Sequence, residues 1–453
     1  MNPQSLSTVA GMCGASLLAG DPENLVRRVS KDTRSIEPGD LYVALRGERF
    51  DGNQFITEAA SKGAVGALFD NDPPTGLPKG FGLLSTPDSI AGLALLAASW
   101  RSRLPLRSVV VTGSSGKTSV KDFTAAVLRT SLPTTATEGN LNNEIGLPLS
   151  ILKANLEDKA AVWEIGMNHR GEIAPLAGLA KPEIGIITGI GTAHIEHLGS
   201  REEIAAEKGD LLERLPSDGC AIIPAEDDYS RDLGGRTRAR VFQVGFDRGD
   251  LRANEIKYGL QETRFVIDGE FGRAEAILPV PGRHMVGNAL LAIAAGLQCG
   301  IPLEQCVAGL QQIALTPGRL GRVLRRGVTF LDDTYNANPD SMVAALETLE
   351  GITVNGRKIA VLGRMGELGV HATEGYERVG IKAANVLSTL ITIGEEASAI
   401  GAAASTAGLT DVRSLADNTS AAELLSSLAS EGDVILLKAS RSARMEEVLQ
   451  RFN

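Results

Sequence analysis

Apolar and polar positions along the 453-residue chain fall into three blocks with different rhythms. Up to about residue 104, short apolar runs alternate with turn signals. Pro38-Gly39 precedes the strand-like "LYVAL", and "GAVGALFD" and "FGLLST" read as further strands. "SIAGLALLAASWRSRLP" has helical spacing, which the pattern ends at Pro105. From about 105 to 316 strands and helices alternate: "SVVVTG" and a helix, "AAVWEIG" and "EIAPLAGLA", "EIGIITGIG" and "REEIAAEKGDLLERL", then "GCAIIPAED". Such alternation predicts βαβ units and a parallel sheet. After "TPGRLGRV" comes a smaller α/β block, with strands at "VTFLDDTYN", "KIAVLG", "STLITIG" and "DVILLKA". The pattern therefore predicts an α/β protein of three domains, 1–104, 105–316 and 317–453, and about 150 residues per domain gives the same count.

Composition narrows the picture without changing it. Hydrophobic residues make up 43% and charged residues 22%, the balance of a soluble globular chain. Aromatic residues are only 4%, so the cores are built from Ala, Leu, Ile and Val. A net charge of −10 argues against a general nucleic-acid binder, which presents a basic surface. Anionic substrates then need positive charge concentrated at loops and helix N-termini. Cys13, Cys220, Cys299 and Cys306 are too scattered for a zinc knuckle or a disulfide framework. "MNPQSLSTVA" lacks the basic and apolar regions of a secretory leader, and the longest apolar run is too short for a bilayer. The expectation is a cytoplasmic protein.

The chemistry starts at "VVVTGSSGKTSV", 109–120. The phosphate-loop pattern G-x-x-x-x-G-K-[ST] puts a glycine five residues before Gly116, where this chain has Val111. The only earlier glycine in the stretch is Gly113, so the loop is a shortened one. An apolar strand precedes it, and the helix that follows carries Val120, Phe123, Val127 and Leu128 on one face. Gly113 and Gly116 let backbone N–H groups face phosphate, Lys117 adds charge, and Thr118 offers a hydroxyl to Mg²⁺. The competing reading, a glycine turn with Lys117 solvated, is disfavoured by Gly-Lys-Thr in that setting.

Glu164 closes a buried strand, where a magnesium-binding acid belongs, although an acid can also cap a turn there. The next strand leads to His194 at the same sheet edge. His194 and His197 lack a third nearby ligand for zinc. No N-K-x-D segment for guanine occurs, and "GRMGELG" has the wrong spacing for a dinucleotide fingerprint.

"TGSSGKTS" at 112–119, "EGNLNNEIGLPLSIL" at 138–152, "EIGMNHRGEIA" at 164–174 and "AHIEHLGSREEIAAEKGDLL" at 193–212 together resemble the Mur ligases. "LPVPGRHMVGNALLA", "TPGRL", "DDTYNANPDSM" and "KASRSARMEEV" continue the resemblance in order, and "DTRSIEPGDLYVALRGERFDG" resembles that family's uridine-nucleotide domain. It implies a small N-terminal α/β substrate domain, a central parallel-sheet P-loop ATP-binding domain and a C-terminal Rossmann-like α/β domain. It also implies an ATP-dependent amide ligase of peptidoglycan precursor synthesis that works through an acyl phosphate. "GNLNNEIG", "NHRGEI", "YNANP" and "KASRS" resemble the branch that joins D-alanyl-D-alanine to UDP-N-acetylmuramoyl-tripeptide. The alternatives are a ligase adding a single amino acid, a folylpolyglutamate synthase or, outside the class, a P-loop nucleotide switch.

The resemblance assigns ATP to Gly113, Ser114, Ser115, Gly116, Lys117, Thr118 and Ser119, with Asn288, Arg319, Asp333, Tyr335 and Asn336. It assigns catalysis to Lys117, Glu164, His194 and Lys208, and two Mg²⁺ ions to Thr118, Glu164, His194 and Lys208. Lys208 matches the lysine that the family carbamylates; taken alone it reads as an exposed helix lysine. Thr33, Arg34, Arg46 and Gly47 resemble the uridine pocket, and Thr137, Asn140, Asn142 and Asn143 the muramoyl-peptide contacts. Asn338, Lys438 and Ser440 resemble substrate contacts of the last domain, with Arg441 as a further charge. Arg364 stands where the branch usually has Asp, and Trp163 where a smaller aliphatic residue is expected. The resemblance further implies a monomer that closes over its substrates, with hinges at "TPGRL" and near Pro105.

Overall fold

The computed structural model describes residues 1–47 and 50–452. The chain divides into two compact units: 1–110 with 132–166 and 171–183, and 111–131 with 167–170 and 184–453.

The first unit contains a five-stranded sheet in the order Ser16–Ala19, Gly82–Ser85, Gly66–Phe69, Asp40–Val43, Arg28–Ser30. Only the first pair is antiparallel. Its core is made of small and aromatic side chains, among them Tyr42, Ala59, Ala67, Phe69 and Phe81. The helix Ser89–Arg101 starts at Asp88, whose carboxylate accepts from the Ile90 and Ala91 backbone nitrogens. It ends at Arg101, earlier than the Pro105 boundary that the sequence predicts. Arg101, its last residue, is buried and donates from Nε to Ala180 O at 2.9 Å. Trp100 Nε1 likewise donates to Ala154 O. In the same unit the strand Ala160–Glu164 runs parallel to Thr134–Ala136.

The strand Arg107–Thr112 carries the chain out of the first unit and into the second. There Ile184–Ile187, Cys220–Pro224, Arg240–Gly245 and the start of Leu251–Tyr258 run parallel, as the alternating pattern predicts. The alternation does not continue to 316. Leu251–Tyr258, Thr263–Gly269 and Gly272–Leu278 form an antiparallel meander that extends the sheet. The second hairpin turns at Glu270-Phe271 between Gly269 and Gly272, and these flanking glycines are a signal in the sequence that the βαβ reading passed over.

A second sheet has the order Gly321–Arg325, Val328–Asp332, Val434–Lys438, Lys358–Leu362, Thr389–Ile393, Val412–Leu415. All but its first pair are parallel. The two edge strands, Gly321–Arg325 and Val412–Leu415, escape the sequence reading because none of their residues is buried and their apolar signal is weak. Phe330, Ile359, Val361, Ile391, Ile435 and Leu437 fill the core beneath.

Candidate active site

The loop Gly113–Gly116 joins the strand Arg107–Thr112 to the helix Lys117–Arg129. Gly113 has φ +146°, and a Cβ there would lie 1.9 Å from Thr188 Oγ1. Gly116 has φ +84°, and its Cβ would meet Asn288 Oδ1 at 2.8 Å. Both positions therefore demand glycine, and the shortened loop is a defined turn. Gly116 brings no side chain to cap the helix, so the first backbone N–H groups are left for an anion. Lys117 Nζ bonds Gly113 O at 2.8 Å, and Ser114 N bonds Gly189 O at 2.9 Å. Ser114, Thr118 and Ser119 are buried. Val120, Phe123, Val127 and Leu128 are fully buried, as the helical spacing predicts.

Residues beyond 317 reach this loop. Arg319 lies over the Tyr335 ring at 4.0 Å and donates from Nη2 to Thr118 Oγ1 at 3.3 Å. Asn338 Nδ2 donates to Ser115 Oγ at 3.1 Å, while its Oδ1 caps the helix Pro339–Gly351. Asn336 O and Asp333 Oδ2 both receive Lys438 Nζ, at 3.0 and 2.5 Å. Lys438 is buried, and its charge is engaged by Asp333. Ser440 is buried and shares a hydroxyl contact with Ser442, while Arg441 is paired with Glu446. Arg364 lies 3.3 Å from Glu396.

His194 follows the strand Ile184–Ile187, with φ +64° at the start of a short helix. Its Nδ1 is 2.5 Å from Glu367 Oε2. Burial lowers its pKa against the pull of Glu367, and Lys117 and Lys208 push in the same direction. The ring is thus held neutral, the form that ligates a metal. His197 instead lies 4.9 Å from the His169 ring. Among the described residues no cluster of three or more His, Cys, Asp or Glu has the geometry to hold a metal.

Lys208 sits in the helix Arg201–Glu213 and is completely buried, so it is not an exposed helix lysine. Its Nζ has no hydrogen-bond partner among the described residues. Burial lowers its pKa well below the ordinary lysine value, and repulsion from Lys117 adds to this. Burial thus disfavours the charged ammonium form of this side chain.

The first unit holds the remaining predicted residues. Glu164 is buried at its strand end, with Asn142 Nδ2 on Oε1 at 2.8 Å and Thr137 Oγ1 accepting from its backbone nitrogen. Its Oε2 has no partner among the described residues, which leaves a lone-pair donor for a cation. Trp163 beside it is fully buried, so the larger side chain is absorbed by the core. Asn143 Oδ1 accepts from Gly146 N, and Asn140 is exposed. In the predicted uridine pocket, Arg34 forks onto Asp32 and Arg46 pairs with Asp70; Thr33 opens a short helical turn, and Gly47 lies in a two-residue strand.

The sequence reading missed three residues. Asp340 Oδ2 accepts from Thr192 N and Oγ1 at 2.7 and 2.9 Å. Glu367 lies in "GRMGELG", where the sequence draws attention to the glycines and to Arg364 but not to the acid. His284 is held neutral near Asp333 and Lys438, its pKa pulled down to about 4 by burial. Its place one turn before the buried Asn288, in the helix Arg283–Gln298, is the signal that could have found it.

The chain matches the Mur ligase family catalytic domain over 26–77, the Mur ligase middle domain over 111–296 and the Mur ligase glutamate ligase domain over 318–441. It is 37% identical to a UDP-N-acetylmuramoyl-tripeptide–D-alanyl-D-alanine ligase of Escherichia coli, covering 93% of this chain and 92% of that one. It is 34% identical to the ligase of the same name from Bacillus subtilis, over 94% and 93%. A crystal structure of MurF from Acinetobacter baumannii superposes with TM-score 0.90 at 30% identity, covering 99% and 98%. MurF ligase from Thermotoga maritima in complex with ADP superposes at 0.84 with 28% identity, over 94% and 97%.

Proposed function

The chain belongs to the Mur ligase family, and from that premise we propose that it joins D-alanyl-D-alanine to UDP-N-acetylmuramoyl-tripeptide at the expense of ATP. The observation that carries the ligase reading is the glycine-shaped loop with Lys117 and Thr118, met by Arg319 from the last domain. Relatives named for this reaction, alike over nine-tenths of the chain, support the choice of branch.

A carboxylate is a poor electrophile. Transfer of the γ-phosphoryl group to it makes an acyl phosphate with a good leaving group; the incoming amine then attacks, and phosphate departs. Lys117, Arg319 and the backbone N–H groups after Gly116 stabilise phosphate charge and hold the nucleotide in line. Asn288 shapes the loop from behind, and Tyr335 supports the Arg319 guanidinium.

In this reading Thr118, Glu164 and His194 would hold magnesium; Glu164 Oε2, without a partner among the described residues, has the donor chemistry that supports it. Bound there, magnesium would offset the negative charge of the phosphates. Lys208 supplies one more donor if its neutral Nζ adds to CO₂, forming an N–C bond and releasing a proton. The product is a carbamate that carries negative charge. A buried amine without a partner is the starting group such a reaction requires.

Thr33, Arg34, Arg46 and Gly47 bind the uridine nucleotide in this reading. Thr137, Asn140, Asn142 and Asn143 bind the muramoyl-peptide, and Asn338 and Ser440 face the dipeptide. The domain limits near 104 and 316 are part of the same reading. We assign the reaction to a monomer in the cytoplasm; four free cysteines suit a reducing compartment. Among the described residues no helix is long and apolar enough to cross a membrane.

The test supplies ATP, Mg²⁺ and UDP-N-acetylmuramoyl-tripeptide with D-alanyl-D-alanine, D-alanine, L-lysine or diaminopimelate. Phosphate release that depends on the dipeptide, with a pentapeptide product by mass spectrometry, is expected. Joining of a single amino acid to a shorter precursor would refute the branch and leave the ligase chemistry standing.

A further inference from the structure

Beyond the strand Ile184–Ile187 the chain runs without regular structure from 188 to 191, and its polar groups are held by residues distant in sequence. Thr188 N donates to Thr112 O at 2.9 Å, and Gly189 O accepts from Ser114 N of the phosphate loop at 2.9 Å. Ile190 is held on both sides. Its nitrogen donates to Asp227 Oδ2 at 2.8 Å, and its carbonyl accepts from Arg201 Nη2 at 2.9 Å. These anchors all lie within 111–296, the span of the Mur ligase middle domain. The last anchor comes from beyond 317. Asp340, in the first turn of the helix Pro339–Gly351, accepts through Oδ2 from Thr192 N and Thr192 Oγ1, at 2.7 and 2.9 Å.

Asp340 is itself aimed, and its approach is close. Arg378, on the helix Ala372–Val386, donates from Nη1 to Asp340 Oδ1 at 2.8 Å, so each carboxylate oxygen has its own partner. A Cβ on Gly191 would lie 2.4 Å from Asp340 Oδ2 and 3.5 Å from Ser114 Cβ. Gly191 does not have a positive φ, so its backbone does not call for glycine. What excludes a side chain there is the docked carboxylate. Two residues before Asp340, Asn338 Nδ2 donates to Ser115 Oγ. One helix start thus touches both the phosphate loop and the segment that holds it.

We propose that Asp340 is a positioning residue for the phosphate loop: docked on Thr192 and Gly191, it fixes the segment whose Gly189 carbonyl holds Ser114. The inference rests on the reading of that loop as the ATP site of a ligase. A carboxylate oxygen shared by a backbone N–H and a hydroxyl makes two charge-assisted bonds, each stronger than its neutral counterpart. Asp227 and Arg201 belong to the same domain as the segment and stay with it. Asp340 leaves with the last domain when nucleotide enters. The loop therefore reaches its reactive shape only when that domain is docked. Asp340 then acts on phosphoryl transfer and not on binding of the nucleotide-peptide.

Gly191→Ala gives a second handle, because the atom that must yield to the new methyl group is the Asp340 carboxylate and not backbone. Asp340→Ala and Gly191→Ala are each expected to lower kcat for dipeptide-dependent phosphate release roughly 10- to 100-fold, the worth of hydrogen bonds to a charged group. Affinity for UDP-N-acetylmuramoyl-tripeptide, by calorimetry, stays at the parent value. The double variant is no slower than Asp340→Ala, since no carboxylate remains for the methyl group to displace. Hydrogen exchange followed by mass spectrometry needs no substrate. The peptide covering 188–193 is expected to exchange faster in both single variants. Parent turnover in Asp340→Ala overturns the proposal, as do single-variant losses that multiply in the double variant. Unchanged exchange overturns it even where turnover falls, and a loss confined to affinity for the nucleotide-peptide does the same. If the parent protein shows no dipeptide-dependent phosphate release, the ligase reading fails separately; exchange still decides whether Asp340 holds the segment.

Discussion

Lys208 is buried, and its Nζ has no hydrogen-bond partner among the described residues. A buried ammonium without a partner is costly, and burial shifts the equilibrium towards the neutral amine. Its pKa is lowered in the fold, so below the ordinary value of 10.5 the unfolded chain binds a proton that the folded one does not. Stability contributed by this group therefore falls as pH drops below that value and is recovered on raising pH towards it. Lys208→Met keeps the side-chain length and removes the amine. It is expected to melt higher than the parent in CO₂-depleted buffer near neutral pH, yet to lose turnover by at least about 10²-fold. A lower melting temperature there would contradict a neutral, unpartnered amine. Lys208→Ala is expected to be inactive, with partial recovery in acetate as the carboxylate fills the vacated position. Sequence alone favoured an exposed lysine at this position, because a helix lysine carries no local mark of burial.

At the scale of elements, the helix Pro339–Gly351 shows how one residue serves two purposes. Asn338 Oδ1 accepts from Ser341 N, while Nδ2 donates to Ser115 Oγ of the phosphate loop. Asn338→Asp keeps the cap and removes the donor, so its melting curve should match the parent. Its kcat/KM for ATP should fall by roughly tenfold, from one lost hydrogen bond and a carboxylate set against phosphate. Asn338→Ala should lose both properties, with about 1 kcal/mol of stability gone with the cap. Equal melting loss in the two variants, measured by calorimetry, would refute the division of labour. The cap was legible in "NANPDS", where Asn precedes Pro at the first helical position. The bond to Ser115 was not, because it spans 223 residues of sequence.

For the molecule as a whole, the second unit shows the last domain engaged with the loop: Arg319 on Thr118, Asn338 on Ser115, Asp340 on Thr192 and Thr316 on Asp122. These bonds occupy groups that the proposed reading assigns to ATP, Thr118 above all. The engagement must therefore loosen for nucleotide to enter and reform around it. "TPGRL" is the hinge in this account; Gly318 has φ +75° and Leu320 φ +56°, backbone states that flank the pivot. Scattering curves of the free protein and of the complex with an ATP analogue and nucleotide-peptide are expected to differ. Superimposable curves would argue against closure.

The sequence by itself determined the parts that depend on near neighbours in the chain. These are the period-2 and helical runs, the Gly-Lys-Thr turn at a strand end, the buried strand closing at Glu164, and the order of motifs that marks the family. Each is set by local sterics and burial, which a linear pattern records. Only the tertiary structure decided that Lys208 is buried and unpartnered, that Lys438 is engaged by Asp333, and that Asp340 docks on Thr192. It also decided that the parallel sheet continues as an antiparallel meander over 251–278. Those outcomes depend on which distant side chains arrive at the same place, and on the dielectric they create there. No period in the sequence encodes either.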